Sequence, residues 1–281
     1  WTCFFEKVDR TRAYLPFRFD ARAVRERIAA HPGKDGSIVA ISSEEFAGHP
    51  FSGGIWAEGV LERIKATVES PKILITIREQ RKMLLSTYAD YLDRTGGLAS
   101  LDLFLTPRGT DQVPAHVVEY YEFSYLVAAY REAFGAENVL VLPMEIIAAD
   151  ASAAIDRICD HCGVPRSEAW HEAPQTVNKR DYNVYTVRRL MRWTNIWSSP
   201  KAANGHAGRN VPGIRGAIRD MLRLLVPRRL RDYVESRDRR KIEAALAGII
   251  PQDNLRLQEF VDDDLSALGY MMPDVPASPQ S

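Results

Sequence analysis

"ILITIREQRKMLLSTYADYL", residues 73–92, decides how this chain is to be read. Five apolar or β-branched residues lead without a turn into Arg78, and helix-forming residues follow at once. An apolar run of that length, without polar alternation, reads as a strand covered on both faces, the pattern of a parallel sheet between helix layers. In such sheets ligands sit at the carboxyl ends of the strands, where helix N-termini present unpaired N–H groups. Arg78 is therefore expected at a ligand-binding edge, with a planar guanidinium able to take a phosphate through two parallel hydrogen bonds. Ser86 lies two helical turns on, so hydroxyl and guanidinium could share one phosphate. The same spacing also suits an Arg78 that pairs with a carboxylate and a Ser86 that faces solvent.

Working outward, the pattern alternates. "DARAVRERIAA" predicts a helix capped by Asp20, "SIVAIS" a short buried strand, and "IWAEGVLERIKATVES" a helix with Ile55, Val60, Leu61 and Ile64 inward. After the central stretch come a long connection to Pro114, a helix ending at Gly135, the strand "NVLVLPME" and the helix "SAAIDRICDHCG". Helices and strands in this alternation predict an α/β protein, three layers (α/β/α) around a central parallel sheet. Past Gly163 only helices are expected, over 184–197, 216–225 and 228–246, and the loop 197–213 is the candidate lid. The whole of 1–281 is read as one domain.

Lys and Arg total 37, equal to Asp and Glu, so no global attraction to nucleic acid or membrane is implied. Between Asn178 and Lys241, however, seventeen basic residues face five acidic ones. Cys3, Cys159 and Cys162 are an odd number and suggest a reducing, cytoplasmic setting. Cys159, His161 and Cys162 resemble half a metal site, yet both cysteines continue the apolar spacing of Ile155 and Ile158, which favours packing. No apolar run reaches the length of a membrane span. "VAISSEEF" is expected to end on the same rim as Arg78, where Glu44 or Glu45 could serve as general base, or could simply favour a helix N-terminus.

"KILITIREQRKMLLSTYADYL" resembles the segment of sulfotransferases that binds the 3'-phosphate of 3'-phosphoadenosine 5'-phosphosulfate (PAPS), a strand ending in Arg with a Ser eight residues later and Tyr88 beyond it. "FGAENVLVLPMEIIAADASAAIDRICDHCGVP" is similar to the block that follows in that family, and "IIPQDNLRLQEFVDDDLSALGY" to the tail of many bacterial members, through Asn254, Leu257, Asp264, Leu265, Gly269 and Tyr270. The resemblance implies a P-loop NTPase-like fold and sulfuryl transfer from PAPS to a hydroxyl or amine, a carbohydrate among the open acceptors, with 3'-phosphoadenosine 5'-phosphate (PAP) as product and no metal. It assigns donor binding to Arg78 and Ser86, the base to Glu44 with Glu45 in reserve, and nucleotide closure to Lys179 and Arg180, or alternatively Arg209. A glycan or small-molecule acceptor is implied, its pocket built from 48–54 and 100–114, and no nucleic-acid partner.

The family's strand and Gly-rich loop for the 5'-phosphosulfate have no counterpart here. "HPGKDGS" follows a helix and precedes the expected strand, the reverse of the required order. Because the chain opens "WTCFFEKVDR", with Trp, that loop is expected upstream. Two other functions fit parts of the pattern. A P-loop-type nucleotide kinase would share the fold but wants a strand-end Asp for Mg²⁺. A non-catalytic nucleic-acid binder would use the basic stretch from Arg209 to Lys241, whose helices show little aromatic interleaving. Trp193 and Trp197 are expected to pack rather than to stack on a sugar.

Overall fold

The computed structural model describes residues 19–30, 38–94, 97–106, 116–166, 183–194, 221–222 and 225–273. Two strands form within them, β1 (Ile73–Ile77) and β2 (Val139–Pro143), paired in parallel from Ile73 opposite Val139 to Ile77 opposite Pro143. Around them lie α1 (Ala21–Ala29), α2 (Ala57–Thr67), α3 (Gln80–Arg94), the short α4 (Leu101–Leu105) and α5 (Phe123–Phe134). Then follow α6 (Met144–Ala149), α7 (Ala151–Cys162), α8 (Asn183–Leu190), α9 (Arg228–Leu246) and α10 (Ile250–Gln258). The architecture is thus α/β and rich in helix, with a small parallel sheet.

Local chemistry explains the boundaries. Asp20 caps α1 by accepting the Ala23 N–H at 3.1 Å, and Asp150 caps α7 by accepting the Ala153 N–H at 3.0 Å. Gly163, at φ 65°, ends α7 in the left-handed conformation that a side chain would strain. The connection before α5 holds its own short helix, α4, capped by Ser100. Residues 107–115, the expected lid 197–213 and most of the helix expected at 216–225 lie outside the described residues.

The expected strand 37–42 is corrected: 38–43 adopt no regular structure, and Ile38 and Val39 are exposed. A strand needs a neighbour for its N–H and C=O groups, and among the described residues none pairs with this segment. Leu74 and Thr76 are likewise exposed, so β1 is covered on one face rather than two. Ile55 is exposed as well, because α2 begins only at Ala57.

The core lies between β1, α3, α5, α9 and α10, with Leu84, Leu85, Tyr88, Leu92, Val127, Ile242, Leu246 and Leu257 enclosed. Polar pins cross it. Asp253 of α10 accepts the Ser124 N–H at 3.3 Å and the Ser124 hydroxyl, fixing the start of α5. Asp238 of α9, fully buried, pairs with Arg189 and accepts the Tyr185 hydroxyl at 2.7 Å, which locks α8 onto α9. A buried carboxylate is tolerable only when paired in this way.

His116 links α4 to the 3-10 turn Val118–Tyr121 that precedes α5. Its ring lies over Phe104 at 4.0 Å, Nδ1 donates to the Phe104 carbonyl at 3.1 Å, and Nε2 accepts the Tyr121 hydroxyl at 3.3 Å. Burial pushes its pKa down from 6.5 to about 4, against the carbonyl hydrogen bond that favours the charged ring. The unfolded chain therefore takes up this proton first as pH falls, and stability is lost between pH 6.5 and about 4. Urea unfolding across that window is expected to show about 3 kcal/mol of acid loss from this group, absent in His116→Gln. An equally steep loss in the variant would show that His116 is not the group responsible.

Candidate functional site

At the carboxyl ends of β1 and β2 the chain gathers charge. Arg78 directly follows Ile77, the last residue of β1, and Glu79 begins the turn into α3. Glu79 is 2% exposed, and its carboxylate caps that helix by accepting the N–H groups of Arg81 and Lys82, both at 3.1 Å. It also accepts the Arg81 Nε–H at 2.6 Å. Arg81 reaches further, donating to the Gly269 carbonyl at 2.7 Å and to Glu243 of α9 at 3.3 Å. Its pKa is raised: burial works against the charge, but the Glu79 and Glu243 carboxylates outweigh it.

Glu145 approaches from the first turn of α6, just past β2. It accepts the Glu79 N–H at 3.3 Å and the Tyr270 hydroxyl at 3.2 Å, and lies 3.6 Å from the Lys82 ammonium. The Tyr270 hydroxyl is pushed upward by burial and by Glu145, while Arg78 pulls the other way, which puts Arg78 in the same electrostatic neighbourhood. Beside them Gln80 and Asn254, both fully buried, exchange amide hydrogen bonds, and Asn254 also donates to the Met271 carbonyl at 2.8 Å. The segment ending at Met271 is thereby held against the strand ends.

Arg78 stands at the expected edge, half-buried. Ser86 sits half-buried in α3. Glu44 and Glu45 open a 3-10 turn, Glu44–Ala47, rather than closing a strand. The turn is tied to α5, where the Tyr130 hydroxyl donates to the Phe46 carbonyl at 3.0 Å. Lys179, Arg180 and Arg209 lie outside the described residues. The 48–54 loop is tightly folded: Gly48 has φ 80°, and a Cβ there would meet the Gly54 backbone at 2.7 Å. The Tyr120 hydroxyl closes it by donating to the Gly48 carbonyl at 3.1 Å.

The cysteine motif packs. Cys159 is buried and Cys162 half-buried, and burial, then Asp156 and Asp160, push the Cys159 thiol up and away from reactive thiolate. His161 donates Nε2–H to the Ile73 carbonyl at 3.1 Å, which ties α7 to the start of β1. Among the described residues no group of His, Cys, Asp and Glu is arranged to hold a metal ion. No helix there is long and apolar enough to cross a membrane.

Comparison with protein-family models, curated proteins and solved structures returns no match. What the rim can do follows from its chemistry. Arg81 pairs there with Glu79 and Glu243, and Lys82 with Glu145, while Arg78 acts on the Tyr270 hydroxyl from the same rim. Sequence reasoning missed Glu79 and Arg81. Glu145 and Tyr270 were visible only inside longer resembling segments, since a contact 125 residues apart leaves no local signal.

Arg81→Ala is expected to destabilise the fold by about 2 kcal/mol, because it strands the buried Glu79 carboxylate and frees the Gly269 carbonyl. Chemical denaturation measures this, and hydrogen exchange at 266–271 is expected to rise in the same variant. Unchanged exchange would mean that Asn254 alone holds the tail.

Proposed function

We propose that the chain binds a nucleotide bearing a 3'-phosphate at the β1 edge and acts as a PAPS-dependent sulfotransferase on a hydroxyl or amine acceptor. One observation supports the proposal: Arg78 stands directly after a strand of a parallel sheet and ahead of the helix that carries Ser86, the order that the sulfotransferase resemblance implies for a 3'-phosphate site. A guanidinium binds a phosphate in two-pronged fashion, and a serine hydroxyl adds one neutral donor. A three-layer, P-loop NTPase-like sheet belongs to this proposal. So does closure by Lys179 and Arg180.

In the reaction the acceptor oxygen or nitrogen attacks the donor sulfur. The bond from sulfur to the bridging phosphate oxygen breaks, and PAP departs with that electron pair. Glu44, or Glu45, takes the acceptor proton. Arg78 and Ser86 fix the donor's orientation, which aligns the displacement, and nearby cations offset charge that spreads onto the leaving phosphate. Among the described residues no Gly-rich loop follows a strand, so the grip on the 5'-phosphosulfate is not assigned to them.

Calorimetry with PAP and ADP tests the clamp. PAP is expected to bind at least tenfold more tightly than ADP, since one charge-assisted phosphate contact contributes about 1.5–3 kcal/mol. Arg78→Ala is expected to erase that difference and Ser86→Ala to reduce it severalfold. Equal affinity for the two nucleotides, or a difference that survives in Arg78→Ala, would remove the sulfotransferase assignment. With PAP binding established, Glu44→Gln and Glu45→Gln separate the base from its neighbour. Loss of turnover with unchanged PAP affinity in one of them is the expected result.

A further inference from the structure

The outward face of α9 has no part in the proposed nucleotide site. Asp238, Ile242 and Leu246 recur at helical spacing and are enclosed, which defines the inner face. At about 100° per residue, Arg229, Leu230, Tyr233, Arg237 and Arg240 fall on the opposite side. All five are exposed. Tyr233 is 57% and Leu230 43% exposed, and Leu225, two residues before Pro227, is 66% exposed.

The helix's acidic residues are largely committed elsewhere. Glu235 pairs with Arg239, Asp238 with Arg189 and Glu243 with Arg81, and Asp102, which faces Arg237, is held by Lys241 at 2.5 Å. Exposed Asp232 flanks the face. Among the described residues no carboxylate forms an ion pair with Arg228, Arg229 or Arg240. The face is therefore cationic and apolar together.

We propose that this face docks the protein on an anionic lipid bilayer. A nucleic acid or acidic glycan would use the arginines and gain little from exposed Leu225 and Leu230. A bilayer surface takes all three kinds of side chain: leucines among the upper acyl chains, the amphipathic tyrosine ring at headgroup depth and guanidinium groups on lipid phosphates. One such helix face gives peripheral, reversible attachment, with α9 lying in the plane of the surface.

Sedimentation of the full chain with vesicles of phosphatidylcholine, with and without phosphatidylserine, tests this. Association only with the anionic vesicles is expected, falling about fivefold for Arg229→Gln and again for Arg240→Gln. Salt is expected to weaken it. The double variant Leu230→Ser/Tyr233→Ser is expected to lose it with unchanged thermal unfolding, since both side chains face outward. Failure to bind anionic vesicles would overturn the proposal. So would undiminished binding by the double variant with displacement by heparin, which would make the face a polyanion site.

Discussion

The Glu79 carboxylate is the constraint on which the rest of the strand-end rim depends. It is almost wholly removed from water, and desolvation makes an unpaired charge there untenable. Its oxygens are occupied by the first free N–H groups of α3 and by the Arg81 guanidinium. Those bonds set the angle at which α3 leaves β1, and so the direction in which Arg78 and Ser86 are presented. Through Arg81 the same carboxylate reaches α9 and the Gly269 carbonyl, so three distant parts of the chain share one buried charge.

Glu145 makes the complementary connection from β2. Parallel pairing brings the ends of both strands to one edge, and that alone lets a residue of α6 accept from Glu79 and from Tyr270. With Gln80 and Asn254 it encloses the tail. Amide and carboxylate networks of this kind specify a unique arrangement because each buried group left unmatched would cost more than a matched one contributes. Nucleotide binding at Arg78, as proposed, would then act on a rim already ordered by its own ion pairs.

Much of the helical framework was legible locally. Asp20 and Gly163 act within a few residues of themselves, and so do the runs that became β1 and β2, whereas α4, capped by Ser100, lies in a stretch read as a connection. The segment 37–42 misled because it has the composition of a strand, while strand formation is settled by a partner that composition does not reveal. Within the candidate site, Arg78 was legible from its place after an apolar run. Arg81 was not, since two of its partners lie 162 and 188 residues away and the burial of the third, Glu79, is itself a tertiary property.

Local sequence was enough for the cap at Asp20, the helix end at Gly163, the apolar runs that became β1 and β2, and the concentration of basic charge late in the chain. These are properties of neighbouring residues, set by backbone hydrogen bonding and side-chain periodicity. Burial of Glu79, the meeting of Tyr270 with Glu145 and the enclosure of Cys159 were settled by tertiary packing. It also decided that α9 turns Leu230 and Tyr233 outward among arginines. Burial and long-range pairing depend on what the rest of the chain places alongside, and no local pattern carries that information.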